Sequence, residues 1–213
     1  MDTEKIRFMA EFIEESEAIE NYERERSLLE QQLREEKLDG HVGALRLADS
    51  LGMRNVKIGK GHLCAMQRLI IEEQGLLLDT ALYPGLLGEY RKVHMRFGKD
   101  ICPPPGHVSS LTADFIGALR NWLENSKHYS REARVRKIAL FHSNFLKIHP
   151  FGDGNGRTAR VLAYYLYRFC RMEPFVFTSA DKNETYYAAF DDPSGHAIQN
   201  YFVARTSFAR KAA

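Results

Sequence analysis

The sequence predicts an all-α protein that carries one small β-hairpin. Apolar residues recur at helical spacing over most of the 213 residues, and apolar and polar residues alternate in one short stretch near residue 95. Apolar residues make up 44% of the chain and charged residues 27%, which is ordinary for a folded domain with a buried core. This composition excludes disordered, collagen-like and membrane-spanning chains.

The first 40 residues are predicted to form an acidic helical segment. Up to Leu38 they contain neither Gly nor Pro and are rich in Glu, Gln, Leu and Arg, which favours one or two amphipathic helices. Residues 1–40 hold 13 acids and 6 bases, a net charge of −7, whereas residues 41–213 carry +9. We therefore expect an acidic segment, 1–40, attached to a basic domain, 41–213. The apolar stripe of the segment is marked by Phe8, Phe12, Ile19 and Tyr22.

Breaker residues define the remaining elements. Gly52 and Gly59 separate two short helices, and a hairpin is predicted after Pro84 and Gly85, where Val93, Met95 and Phe97 alternate with polar residues before Gly98. Three consecutive prolines, 103–105, should block continuation of a helix or strand. The predicted helices cover 41–51, 61–74, 109–126, 131–148, 157–171, 181–190 and 195–209.

Cysteine usage and charge exclude several other classes. Cys64, Cys102 and Cys170 are odd in number and far apart, so they suggest neither a disulfide framework nor a zinc site. No signal peptide follows Met1, and no apolar run reaches 18 residues, so we expect a cytoplasmic protein without a membrane span. The overall charge of +2 gives no reason to expect nucleic acid as a partner.

One segment, 149–160, concentrates residues suited to phosphate chemistry. Its glycines and Asn155 permit backbone angles that turn successive N–H groups inward, and the segment leads into a helix N-terminus, which favours anions. Arg157 and Arg160 share a helix face and can reach one anion. Asp153 offers the hard oxygen that Mg²⁺ requires, and His149 can act as a general base near neutral pH.

The segment also has simpler interpretations. A stretch such as Gly-Asp-Gly-Asn-Gly, taken alone, is more often an ordinary turn than a site. A calcium loop counted from Asp153 needs Gly at its sixth position and Glu at its twelfth, where Thr158 and Tyr164 stand. A Walker A loop needs a lysine where Arg157 stands.

The segment resembles the signature of the Fic (filamentation induced by cyclic AMP) family, H-x-F-x-[DE]-G-N-G-R-x-x-R. The resemblance extends over about residues 55–205 and implies the Fic fold, a helical bundle with a small β-hairpin flap. All eight fixed positions are matched, by His149, Phe151, Asp153, Gly154, Asn155, Gly156, Arg157 and Arg160.

The resemblance implies a protein adenylyltransferase, which transfers AMP from Mg-ATP to a Ser, Thr or Tyr hydroxyl of a target protein, including itself. In this family His149 would deprotonate the hydroxyl, Asp153 would hold Mg²⁺ and Phe151 would anchor the loop in the core. The phosphates would be held by Gly154, Asn155, Gly156, Arg157 and Arg160.

Two further regions have counterparts in the family. The hairpin would be the flap that binds the target main chain, although an ordinary edge hairpin is the simpler interpretation. Tyr186 and Tyr187 resemble the aromatic pair near the family's adenine pocket, but adjacent tyrosines are often only core and surface residues. The loop 191–195 lacks the Asn that many relatives place there. The predicted flap residues are Lys92, Val93, His94, Met95 and Arg96, followed by Phe97.

A second motif lies in the acidic segment. Ser16, Glu20 and Asn21 match the pattern [ST]-x-x-x-E-[GN] of the inhibitory helix in many Fic proteins, although a Glu-rich helix meets this pattern easily by chance. In the family the glutamate pairs with the second arginine of the signature, here Arg160, which implies inhibition in cis. One alternative is a phosphodiesterase that removes AMP from a modified target with the help of Glu20. The other is a helical binding module in which the nucleotide loop has only a regulatory role.

Overall fold

The computed structural model describes residues 1–72 and 87–209 and confirms an all-α architecture with one hairpin. Pro84, Gly85 and the last two residues of the predicted 61–74 helix lie outside the described residues. In the described part, the helices are α1 (Thr3–Ile19), α2 (Arg26–Arg34), α3 (Gly40–Met53), α4 (Lys60–Glu72), α5 (Pro105–Asn125), α6 (Arg131–Ile148), α7 (Asn155–Phe169) and α8 (His196–Ala209). The strands are β1 (Arg96–Phe97) and β2 (Asp100–Ile101).

Helix α7 forms the centre of the bundle. It packs against α3, α4 and α6, and twelve of its fifteen residues are buried, including three tyrosines. Helix α6 has the predicted bounds, and the Ser130 hydroxyl caps it by accepting a hydrogen bond from the Ala133 amide at 3.2 Å. The segment between α6 and α7 is thereby fixed at both ends by well-packed helices.

Helix α1 belongs to the same core. The Asp2 carboxylate caps its first turn by accepting from the Lys5 amide at 2.8 Å, and Phe12 and Ile19 on the predicted stripe are buried. Tyr22 is 41% exposed, so its predicted place on that stripe is wrong. The helix ends at Ile19, and Asn21 takes a left-handed φ of 64°, which turns the chain before Tyr22 can continue the helical face.

The hairpin is shorter than the alternating pattern suggests. The strands pair in antiparallel register, Arg96 with Ile101 and Phe97 with Asp100, and Gly98 supplies the left-handed φ of 57° in the turn. Helix α5 then begins at Pro105, four residues earlier than predicted. The last proline of the run occupies the first helical position, where a missing N–H costs nothing.

Two more elements differ from prediction, one in its start and one in its helix type. Helix α7 begins at Asn155, two residues early, because Gly154 adopts a left-handed φ of 75° and acts as the N-cap. The predicted helix over 181–190 is present but is not an α-helix: Lys182–Tyr187 form a π-helix and Ala188–Phe190 a 3₁₀-helix. This wider turn accompanies burial of Tyr186, whose hydroxyl is 2.7 Å from Nε2 of the buried His142 on α6.

Across residues 1–72 and 87–209, none of the helices combines the length and apolarity needed to cross a bilayer.

Candidate active site

His149 lies directly after α6 in a left-handed conformation, with φ 51° and ψ 62°. Its amide donates to the Phe145 carbonyl at 3.0 Å, which fixes the backbone, and Nδ1 lies 3.1 Å from the Leu146 carbonyl oxygen. A carbonyl oxygen can only accept, so Nδ1 carries the proton and Nε2 remains a proton acceptor. Burial lowers the pKa of the imidazole, and the positive charge of Arg91 lowers it further. The side chain is therefore suited to act as a base.

The loop after His149 is organised by Asn155 and Phe151. The Asn155 side chain accepts from the Phe151 amide at 3.0 Å and donates to the Phe151 carbonyl at 2.8 Å. Phe151 is fully buried against the rings of Tyr90 and Phe145. The amide side chain of Asn155 thus closes the loop, and a phosphate-binding role would fall to its backbone N–H at the start of α7.

Glycine occupies positions 154 and 156 for different structural reasons. Gly154 needs its left-handed φ, and a Cβ there would lie 2.9 Å from Cδ1 of Ile71 in α4. Gly156 lies in the first turn of α7, where a Cβ would overlap the carboxylate of Glu20. The absence of a side chain at Gly156 therefore leaves room for any acidic group that approaches Arg160.

Arg157 is buried but incompletely paired. Its side chain is 2% exposed; Nη2 lies 3.5 Å from Oδ2 of Asp153, and the guanidinium lies over the Tyr22 ring at 4.9 Å. Among the described residues, its Nε and Nη1 atoms have no hydrogen-bond partner. Because unpaired buried donors are costly, this environment favours an added anion.

Arg160 binds the end of helix α1. Its Nη2 donates to Oε1 of Glu20 at 2.7 Å and to the Ser16 carbonyl at 2.8 Å, while Nε donates to the Ser16 hydroxyl at 2.8 Å. The guanidinium contacts one oxygen of Glu20, so the pair is not bidentate. Burial opposes ionisation of Glu20, but Arg160, with help from Arg157, outweighs it and holds the pKa below its usual value.

Sequence reasoning missed Lys182, which secures the same end of α1. Its ammonium group donates to the Ile19 carbonyl at 2.8 Å, to the Ala18 carbonyl at 3.3 Å and to Oδ1 of Asn21 at 2.8 Å. A cation at a helix C-terminus is favourable because it complements the helix dipole. Lys182 sits just before the tyrosine pair but matches no motif, so nothing in the sequence singled it out.

Some of these groups line one cavity of about 420 Å³, whose lining does not include Asp153, Gly154, Asn155, Arg157 or Lys182. The predicted residues that line it are Glu20, His149, Gly156, Arg160, Tyr186 and Tyr187, and the hairpin contributes Phe97, Gly98, Lys99 and Asp100. Among the described residues, none of the predicted flap residues from Lys92 to Arg96 lines this cavity. Phe97 lies instead beside His149, with ring centroids 6.0 Å apart, and packs edge-on against Phe190 at 5.0 Å.

The tyrosine pair and the following loop form the far wall. Tyr186 is almost fully buried, whereas Tyr187 is half-buried and its hydroxyl lies 3.4 Å from the Ile19 carbonyl. Asp191 also lines the cavity. It begins the 191–195 loop, which lacks the Asn that many relatives have there. Its carboxylate accepts from the Lys99 ammonium at 2.6 Å, which joins this wall to the turn of the hairpin.

Known proteins share both the sequence pattern and the fold. The chain is 35% identical over 100 residues to the protein adenylyltransferase Fic of Drosophila yakuba, covering 47% of this chain and 19% of the relative. The chain therefore spans about a fifth of the length of the curated relatives it matches.

Solved structures extend the likeness in fold to the acidic segment. A Fic-domain-containing signaling protein from Bacteroides thetaiotaomicron superposes with a TM-score of 0.69 at 20% identity, covering 96% of this chain and 83% of that one. Fic-1 from C. elegans gives 0.67 at 18% identity, covering 100% and 64%. Residues 57–167, just over half of the chain, match the sequence profile of the Fic/DOC family. With this match, and with His149 and the start of α7 lining one cavity, the chain belongs to the Fic/DOC family.

Proposed function

We propose that this chain is a protein adenylyltransferase that transfers AMP from ATP to a hydroxyl of a target protein. The observation that supports this most is a shared cavity: His149, whose Nε2 can accept a proton, lines the same space as Gly156 and Arg160 at the start of α7. A base and an anion-binding helix terminus are both needed at one place for this reaction. The protein adenylyltransferase of Drosophila yakuba named above supports the same reaction.

In the proposed reaction, a Ser, Thr or Tyr hydroxyl oxygen attacks the α-phosphorus of ATP. The new O–P bond forms as the bond to the bridging oxygen between the α- and β-phosphates breaks, and pyrophosphate leaves. Nε2 of His149 takes the hydroxyl proton. The start of α7 and the guanidinium groups of Arg157 and Arg160 neutralise the phosphate charge, so positioning and electrostatics supply most of the rate.

The residues present also fit Mg²⁺. The Asp153 carboxylate is 47% exposed and lies beside the under-paired Arg157, and Mg²⁺ commonly uses only one or two carboxylates together with phosphate oxygens. Among the described residues no cluster of three or more metal-ligating side chains occurs, so the phosphates would have to complete the shell. Bound Mg²⁺ would supply further neutralisation of phosphate charge.

We further propose that Glu20 inhibits this reaction in cis. Its carboxylate holds the Arg160 guanidinium that would otherwise bind the terminal phosphate of ATP. ATP can then bind only with its phosphates displaced from in-line geometry, and a small misplacement of reacting atoms is costly. Ser16 and Asn21 support the inhibitory position, through Arg160 and Lys182 respectively.

Removal of AMP from a modified protein is a second candidate, because the Glu20 carboxylate lines the cavity and could orient a water molecule. The two activities respond oppositely to loss of this group. If Glu20→Gly protein releases less AMP from a modified target than the wild type does, hydrolysis is the main reaction; if it transfers more AMP, transfer is.

The test of the reaction type is labelling of a cell lysate by Glu20→Gly protein with ATP tagged on either its α- or its γ-phosphate. We expect protein labelling from the α-tag alone, because the β- and γ-phosphates leave as pyrophosphate. The same protein carrying His149→Ala is the control and should give no bands. Absence of labelling from both tags, on any target or on the protein itself, would favour a nucleotide-regulated binding module.

A cytoplasmic location stays a prediction.

We expect Gly154→Val to weaken ATP binding by at least about tenfold, as measured by calorimetry on the Glu20→Gly protein. A β-branched residue resists the φ of 75°, and its Cβ would collide with Ile71, so the loop must shift at the start of α7. Gly195→Val is the matched control: it places a similar strain, at a φ of 73° and against Leu140, but directly before α8 instead of α7. Unchanged ATP affinity in folded Gly154→Val protein would remove this loop from the phosphate site.

A further inference from the structure

Arg91 is a buried arginine that the reaction described above does not use. Only 2% of its surface is exposed, and it lies before the hairpin, five residues ahead of β1. Burial lowers the pKa of its guanidinium. Within the described residues, no carboxylate lies at ion-pair distance from it. A buried cation without a counter-ion is costly, so this position calls for a compensating role.

Every nitrogen of the guanidinium donates to a backbone carbonyl. Nε donates to His149 at 2.6 Å, Nη1 to Val93 at 2.8 Å, and Nη2 to Pro103 at 2.6 Å and to Ile148 at 3.3 Å. The amide of Arg91 itself donates to the Pro150 carbonyl at 2.9 Å.

These acceptors belong to two parts of the site. Val93 and Pro103 lie on the two sides of the hairpin, where the chain enters and leaves it. Ile148 and His149 are the last residue of α6 and the proposed base. The positive charge also stands at the C-terminus of α6, where the helix dipole favours a cation. One planar side chain therefore connects the start and the end of the hairpin to the backbone of His149.

We propose that Arg91 is a positioning residue that fixes the hairpin relative to His149, so that a target hydroxyl held by the hairpin meets Nε2 in one geometry. This inference rests on the proposed function, in which His149 is the base and the hairpin presents the target. The contact between Phe97 and the imidazole and the exposed pair of Lys99 and Asp191 do not replace it, since neither joins the main chain of the hairpin to that of His149.

Arginine and lysine differ in a way that separates geometry from charge. Lysine keeps the positive charge but offers a single nitrogen, which cannot span carbonyls on both sides of the hairpin and on α6. Glutamine removes the charge as well. The charged groups that influence His149 are Arg91, Glu20 and Asp153, so both variants are made in the Glu20→Gly protein, where the carboxylate of Glu20 no longer contributes.

We expect Arg91→Lys to lower kcat/KM for the protein target by about 10- to 100-fold, with ATP affinity within about threefold of the parent protein. The imidazole pKa of His149, followed by NMR, should stay in place in Arg91→Lys and rise in Arg91→Gln, because only glutamine removes the nearby positive charge. Arg134→Lys is the matched control. Arg134 also binds backbone carbonyls, those of Tyr129, Lys127 and Cys170, but none of these belongs to the hairpin or to the end of α6.

If Arg91 had a purely structural role, its replacement would reduce target transfer and ATP affinity alike. Equal losses of target transfer and ATP affinity in Arg91→Lys, or the same loss in Arg134→Lys, would overturn the proposal. If the proposed function fails instead, no labelling occurs even in the parent protein, yet the NMR titration still reports whether Arg91 acts on His149.

If neither Arg91 variant folds, hydrogen exchange in the wild type decides. The Cys102 amide, which donates to the Met95 carbonyl within the hairpin, should then open together with the His149 amide, because Arg91 ties the two segments. Rapid exchange at Cys102 beside a protected His149 would show that the hairpin moves independently of the base.

Discussion

Replacing Glu20 with glycine should raise AMP transfer by on the order of 100-fold at saturating Mg-ATP. Loss of the carboxylate frees Arg160 for the terminal phosphate, which lets the α-phosphate reach its in-line position, and misplacement on the ångström scale costs about this factor. The fold should persist, because Glu20 follows the last residue of α1 and glycine is well tolerated at helix ends. The measurement is the rate of incorporation of α-tagged AMP into one target.

Two controls separate the inhibitory contact from a general charge effect. Glu14→Gly removes an acid from α1 itself, one that pairs with Arg26 rather than Arg160, and it should leave transfer slow. Arg160→Ala should not activate, since it removes the phosphate contact together with the inhibitory one. Equal rates for wild type and Glu20→Gly would make the Ser16 to Asn21 match a coincidence of a Glu-rich helix.

Loss of the His149 imidazole should lower transfer by about 10²- to 10⁴-fold, the usual range for a general base. ATP affinity should stay nearly unchanged, because a group that acts in the transition state need not contribute to ground-state binding. Both His149→Ala and His149→Asn are needed, measured in Glu20→Gly protein. Asparagine tolerates the left-handed φ of 51° better than alanine and so removes the base with less backbone strain.

The exposed His107 on α5 offers a matched control, and His107→Ala should transfer AMP at the parent rate. Transfer that stays within about tenfold of the parent in both His149 variants is less than a general base supplies, and would assign proton removal to another group.

Local sequence patterns were enough to predict most of the helices and the loop between α6 and α7. Helical periodicity and the Ser130 cap reflect interactions within a few residues, so they appear in the sequence itself. The loop was recognisable because its glycines, Asn155 and the two arginines fall within 12 residues.

Features that depend on long-range contacts were not predictable in this way. The π-helix at Lys182–Tyr187 accompanies the contact between Tyr186 and His142, which lie 44 residues apart in the sequence. Hydrophobic periodicity reflects neighbouring residues and cannot predict such a contact. Arg91 reaches His149 across 58 residues and belongs to no motif. The side chain of Asn155 closes its own loop, which a pattern match cannot distinguish from a phosphate contact.

The depth of α1 in the core limits how far any activating signal can move it. Its side chains Ile6, Met9, Phe12, Ile13 and Ile19 are at most 5% exposed. Exposing all five would cost on the order of 10 kcal/mol, at about 1.5–3 kcal/mol each, which is comparable to the whole stability of a typical domain, about 5–15 kcal/mol. A release in which the entire helix detaches would therefore unfold the protein. Fraying of the last turn, by contrast, exposes only Ile19 of these five and breaks local polar contacts, those of Lys182, Arg160 and His41, so an activator acting there would change the site without unfolding the bundle.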